Sequence, residues 1–118
     1  MDENIISQLF RAISDNNLSG VKQVWDDSFE VNRVYHNPIP IVLEMAPIHL
    51  AAGEGFDSLV RFLLKKKADI DFPDTKGMTA LHHATWHKRS STVKLLLENH
   101  AKIAIRDEKN AILFFLHL

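Results

Sequence analysis

His83 and His87 stand four residues apart in the run Thr79-Ala80-Leu81-His82-His83-Ala84-Thr85-Trp86-His87. On a helix, that spacing brings two imidazoles to one face, where both could reach a single metal ion. The pattern goes no further. Ala84 follows His83 where a His-Glu-x-x-His hydrolase would carry its general base, and the spacing points to no third ligand. A small metal-dependent enzyme using His83 and His87 is therefore an alternative that lacks most of its parts. Nucleophilic catalysis needs a Ser or Thr beside a base, a third group to orient that base, and oxyanion donors. Ser90-Ser91 lies instead where helix N-capping is expected, and Asp26-Asp27 reads as a solvated helix end rather than an acid–base pair. Lys65-Lys66-Lys67 closes a helical segment, where cations meet the negative end of the dipole. The four glycines form no phosphate-cradling loop. No cysteine is present, so disulfides, thiolate catalysis and cysteine-ligated metals are excluded. These residues predict a protein that is not an enzyme and carries no cofactor and no metal.

The elements that must position these side chains belong to one domain, because 118 residues cannot be divided into two sizeable cores. Hydrophobic residues make up 46% and charged residues 25%, which predicts a folded globular chain rather than disorder. A net charge of -1 supplies no general field for phosphate backbones or an anionic membrane, so neither nucleic acid nor membrane is expected as a partner. The start, Met1-Asp2-Glu3-Asn4, is acidic where a secretory signal is basic, and no apolar run reaches the roughly 18–20 residues that span a bilayer. The expected location is intracellular, in the cytoplasm, the nucleus or both.

The chain repeats itself. Ala46-Pro47-Ile48-His49-Leu50-Ala51 aligns with Thr79-Ala80-Leu81-His82-His83-Ala84 at an offset of 33. The same offset carries Leu59–Leu64 onto Thr92–Leu97 and Ala68–Asp71 onto Ala101–Ala104. Within the unit, Leu59, Phe62, Leu63 and Lys66 fall at i, i+3, i+4, i+7, which predicts an amphipathic helix with a short apolar stripe that needs a neighbour. The run Asp71-Phe72-Pro73-Asp74-Thr75-Lys76-Gly77 predicts a tight reversal, after which Thr79 is placed to N-cap a helix starting near Ala80. Ala12, Val21 and Val31 meet Ala51, Val60 and Ile70 at an offset of 39, so six extra residues fall between Val31 and Pro47. His36-Asn37-Pro38-Ile39-Pro40 marks that enlarged connection as an irregular loop.

Period, motif and helix phase together resemble the ankyrin repeat, a 33-residue unit with the signature Thr-Pro-Leu-His-x-Ala. Gly77-Met78-Thr79-Ala80-Leu81-His82-His83-Ala84 keeps the start but has Ala80 for Pro, while Ala46-Pro47-Ile48-His49 keeps Pro and His. The resemblance implies an all-α solenoid of stacked antiparallel helix pairs linked by β-hairpin-like loops. It divides the single domain into a divergent capping repeat over about 4–34, the enlarged loop over about 35–45, full repeats over about 46–78 and 79–111, and a truncated last helix over 112–118. Lys67, Lys88 and His100 stand where the family favours left-handed Gly, each a cost of about 1 kcal/mol. Phe10 replaces the His of the first unit, and His49 and His82 are expected to hydrogen-bond within and between turn loops. If the last unit stops at its first helix, Ile112-Leu113-Phe114-Phe115-Leu116 bares one flank. That flank calls for more chain or a covering partner, including self-association through Phe114 and Phe115.

The resemblance also implies the function: a non-enzymatic scaffold or adaptor that binds another protein through its concave hairpin and first-helix surface. Carried onto this sequence, that strip holds Val42, Leu43, Met45 and Glu54, then Phe72, Thr75, Lys76, Met78, Trp86 and His87, then Glu108, Lys109 and Ala111. Trp86, Met78 and Phe72 are of the types that concentrate at interface centres. A different implication is that the chain starts a longer array with a purely structural role. Asn32, in Glu30-Val31-Asn32, resembles a site of asparagine hydroxylation in the family, although a hydrogen-bonded turn residue is the preferred reading.

Overall fold

Helices follow one another in pairs: α1 (Glu3–Ser14) with α2 (Leu18–Val24), α3 (Pro47–Glu54) with α4 (Asp57–Lys65), and α5 (Ala80–Trp86) with α6 (Ser90–Glu98). A computed structural model describes residues 3–37 and 43–103. The helices α5 and α6 begin 33 residues after α3 and α4. Across the pairs, α1 packs on α3, α3 on α5 and α4 on α6, so consecutive repeats form two layers of helices. This is the ankyrin-type solenoid.

The inner helices α3 and α5 start by a local device. Thr79 accepts a bond from the His82 N–H at 3.4 Å, and His82 Nδ1 accepts one from the Thr79 N–H at 2.9 Å. Two of the orphan donors of the first turn are thereby satisfied. At α3 the cap residue is Ala46, which has no side-chain oxygen; Pro47 presets the first turn, and His49 Nδ1 takes the Ala46 N–H at 3.0 Å. The helix α6 corrects an expectation. It begins at Ser90 itself, after Arg89, and neither Ser90 nor Ser91 caps it. The Ser91 hydroxyl donates instead to Asp57 Oδ2 at 2.8 Å, beside a bond from Thr92 to Asp57 Oδ1. A carboxylate at the positive N-terminus of α4 draws these hydroxyls across the repeat boundary.

The helix ends follow the expectation. Lys67, Lys88 and His100 have φ of 69°, 59° and 70°. Asn16 (φ 54°) does the same after α1, a position that the repeat alignment did not single out. The buried core runs along the stack through Leu9, Phe10 and Ile13, then Ile48, Leu59 and Leu63, then Leu81, Val93 and Leu96. Phe10 is fully buried and packs on Tyr35 at 5.8 Å, so an aromatic contact occupies the place where later repeats carry a histidine.

The enlarged first connection is partly regular. Residues Tyr35–Asn37 (β1) and Leu43–Met45 (β2) pair antiparallel with Tyr35 opposite Met45 and His36 opposite Glu44, where sequence suggested an irregular loop. The expected last helix over 112–118, and self-association through Phe114 and Phe115, lie outside the described residues. No helix among the described residues is long and apolar enough to cross a membrane.

Two glycines two residues apart should respond oppositely to Ala. At Gly53 a Cβ would stand 3.4 Å from His87 and 3.6 Å from His83, ordinary contacts on a helix that Ala favours. At Gly55, φ is 78° and a Cβ would come within 2.9 Å of the Arg89 side chain. Gly53→Ala should raise unfolding stability by about 0.5–1 kcal/mol and Gly55→Ala lower it by about 1 kcal/mol or more. Urea titrations of both variants check this.

Candidate functional site

The loop between α4 and α5 shapes one part of the candidate strip, and Asp74 organises it. Its Oδ1 accepts the N–H groups of Lys76 at 2.8 Å and Met78 at 2.9 Å, while its own N–H donates to the Met78 carbonyl at 2.8 Å. Gly77, at φ 77°, closes the turn with an N–H to the Asp74 carbonyl. The remaining oxygen, Oδ2, meets His83 Nε2 at 2.8 Å and so ties the loop to α5. Burial pushes the Asp74 carboxyl up, but the bonds from Met78, His83 and Lys76 outweigh it and hold the group below the ordinary range. The cue in the sequence was Asp74-Thr75-Lys76-Gly77, an Asp-x-x-Gly turn, although its link to His83 was not anticipated.

A second histidine joins two loops. His49 is fully buried in α3; it accepts from Ala46 N–H through Nδ1, and its Nε2 lies 2.6 Å from the Phe72 carbonyl. The neutral Nε2–H tautomer meets both partners, whereas a proton on Nδ1 would face a donor. Burial, only partly offset by the Phe72 carbonyl, lowers its pKa from 6.5 to about 4. His83, 5.3 Å from His49 between ring centres, is also lowered, first by burial, with Asp74 working in the opposite direction.

Asn32 links the preceding loop. Its Nδ2 donates to the Lys67 carbonyl at 3.1 Å, and its Oδ1 accepts the Asp69 N–H at 2.6 Å. The preferred reading of Asn32 as a hydrogen-bonded turn residue matches this geometry. One repeat on, Asp71 Oδ1 accepts the Lys102 N–H at 2.9 Å.

On this frame Thr75 and Lys76 are exposed at the turn, while Phe72 and Met78 are half-buried. The Phe72 ring stacks on His49 at 6.0 Å and 16°, so it serves packing as well as display. Trp86 ends α5 with 77% of its surface exposed. One repeat earlier its position is Gly53, on which His83 and His87 lie. His87 and Glu54 are exposed, and Met45 is half-buried at the end of β2. Leu43 is placed in β2, opposite Asn37. Val42, Glu108, Lys109 and Ala111 lie outside the described residues. The structure gathers Phe72, Thr75, Lys76 and Met78 onto one loop, with Trp86 and His87 at the far end of α5. Of the His83 and His87 pair, His83 engages Asp74 through Nε2. Among the described residues, no three His, Asp or Glu side chains gather to hold a metal ion.

The profile of a family described as "Ankyrin repeats (3 copies)" matches residues 9–107. The chain belongs to the ankyrin-repeat family. The ankyrin segment of this chain is 37% identical over 100 residues to ankyrin repeat and SAM domain-containing protein 6 of Mus musculus, covering 83% of this chain and 11% of that protein. It is 44% identical over 62 residues to transient receptor potential cation channel subfamily A member 1 of Homo sapiens, covering 52% and 6%. A putative ankyrin repeat protein of Rickettsia bellii is 30% identical over 109 residues, covering 76% and 46%. The chain thus spans less than half the length of each. Ankyrin repeats are generally protein–protein interaction modules, and the family is typically non-enzymatic.

The buried neutral imidazole of the ankyrin stack makes stability depend on acid. His49 takes up a proton near pH 6.5 when unfolded but only near pH 4 when folded, so its contribution is complete above 6.5 and shrinks as pH falls toward 4. The loss over that window should be about 3 kcal/mol, from about 1.36 kcal/mol per unit. His83 should add to the loss in the same direction, since its pKa is also lowered. Urea midpoints measured from pH 7.5 to 4 should fall continuously; a flat profile would contradict the buried neutral state.

Proposed function

We propose that the protein is a non-enzymatic binding module that grips another protein through the concave strip of Met45, Glu54, Phe72, Thr75, Lys76, Met78, Trp86 and His87, centred on Trp86 and Met78. The observation that carries this reading is the exposure of Trp86, 77% at the position where the preceding repeat folds with Gly53. A large indole held in water at a position where the preceding repeat folds with glycine has no folding duty, and tryptophan is among the residues most enriched at interface hot spots. Mechanistically, the helices hold the strip and the Asp74 turn holds the tips, so binding proceeds with little backbone rearrangement.

The module is expected to use neither nucleic acid nor membrane as its partner. A second reading, a structural segment of a longer repeat array that binds elsewhere, draws support from the small share of its relatives that the chain covers. Partners retained from a lysate on immobilised protein can be identified by mass spectrometry and their affinities measured by calorimetry. Trp86→Ala should leave the melting temperature within a degree or two and weaken the partner at least about ten-fold, in the range of a hot-spot truncation. Unchanged affinity in a folded Trp86→Ala protein would remove the site and favour the second reading.

A further inference from the structure

The outer helices do not pack uniformly. The helix α2 has seven residues, against nine in α4 and nine in α6. It ends at Val24 because Trp25 turns to an extended backbone (φ −67°, ψ 131°), and Asp26 then closes a turn by accepting the Ser28 N–H at 2.8 Å. The indole, released from the helix, packs edge-on against Phe29 at 5.1 Å and Phe62 of α4 at 5.3 Å. Between α2 and α4 this leaves a cleft of about 350 Å³ lined by Lys22, Trp25, Asp27, Phe62 and Lys66.

The chemistry of the cleft is two-sided. Trp25 and Phe62 are only half-buried, so their rings remain available as an apolar floor. Lys66 extends over the Phe62 ring at 5.7 Å, and Lys22 is exposed at the rim. The only carboxylate lining the cleft, Asp27, is 90% exposed and meets Lys66 at 3.6 Å. An exposed pair at that distance contributes little and is readily exchanged for another carboxylate. Two cations beside an aromatic floor, with one weakly held acid, complement an anionic ligand that also carries an apolar side chain.

We propose that this cleft receives an acidic peptide segment, one aromatic side chain of which rests on Trp25 and Phe62 while its carboxylates pair with Lys22 and Lys66. The ligand displaces Asp27 from Lys66. The volume, at the lower end of ligand sites, suits one large side chain rather than a folded domain. This surface is separate from the strip around Trp86, and the two stand or fall independently.

The chain has two tryptophans, one on each surface, so their indole N–H resonances report the two sites separately. The probe is a pentapeptide with one phenylalanine between pairs of glutamates, titrated into the 15N-labelled full chain. The Trp25 signal should shift saturably while that of Trp86 stays still. Lys66→Glu and Lys22→Glu should each weaken binding about five-fold or more, and Asp27→Asn should tighten it about two-fold. Lys22 and Asp27 are exposed and Lys66 is half-buried over Phe62, and melting curves confirm that the variants fold. The proposal is overturned if the shift is confined to Trp86, or if a control peptide with alanine for phenylalanine binds equally well. It is also overturned if Asp27→Asn and Lys66→Glu leave affinity unchanged. A phosphotyrosine peptide lacking glutamates that binds more tightly would reassign the cleft to phosphate and likewise overturn it.

Discussion

Among the described residues, the helix pairs of this molecule cover their apolar flanks on one another, α1 on α3, α3 on α5 and α4 on α6. Leu59 and Leu63 are fully buried only because α4 has α3 beneath it and α6 beside it. Burial of this kind is non-directional and would tolerate sliding. What fixes the offset is a ladder of directional bonds between repeats: Asn32 to Lys67 and Asp69, Asp57 to Ser91 and Thr92, Asp71 to Lys102, and Arg89 Nε to the Gly53 carbonyl at 3.0 Å. The Arg89 bond places a cation at the negative end of α3, where a last-turn carbonyl would otherwise lack a partner.

The same contacts that stack the repeats also aim the recognition strip. The Phe72 carbonyl is held by His49, and the Asp74 turn is held by His83, so the hairpin tip is tied to two successive inner helices. Thr75 and Lys76 are displayed on a loop whose backbone has few alternatives. Phe72 belongs to both systems, since its ring stacks on the imidazole that holds its own carbonyl. Any change of partner preference at Phe72 therefore carries a stability consequence, whereas Trp86 is free to vary.

The first repeat solves the stacking problem with different chemistry. Where His49 binds a loop by hydrogen bonds, Phe10 packs against Tyr35, and Tyr35 stacks on Phe29 at 5.2 Å and 13°. The Tyr35 hydroxyl donates to the Glu30 carbonyl at 2.9 Å, and burial raises its pKa. An aromatic cluster fills space less regularly than a helix, and α2 stops early where Trp25 joins it. The cleft between α2 and α4 lies at the edge of that cluster, where Trp25 meets Phe29.

Features that depend on neighbours a few residues away were legible in the chain: the 33-residue offset, the Thr79 cap, the left-handed backbone at Lys67, Lys88 and His100, and the turn ending at Gly77. The ribbon of β1 and β2 was half visible, since its insertion could be located but not its strand pairing. The partners of the polar side chains were not legible. His83 looked like a ligand beside His87 and became the anchor of Asp74; Ser91 looked like a cap and became a donor to Asp57, 34 residues away. Periodicity says which residues share a helix face, but a polar side chain is committed by whichever group the next repeat brings within 3 Å, and that distance exists only once the stack has closed.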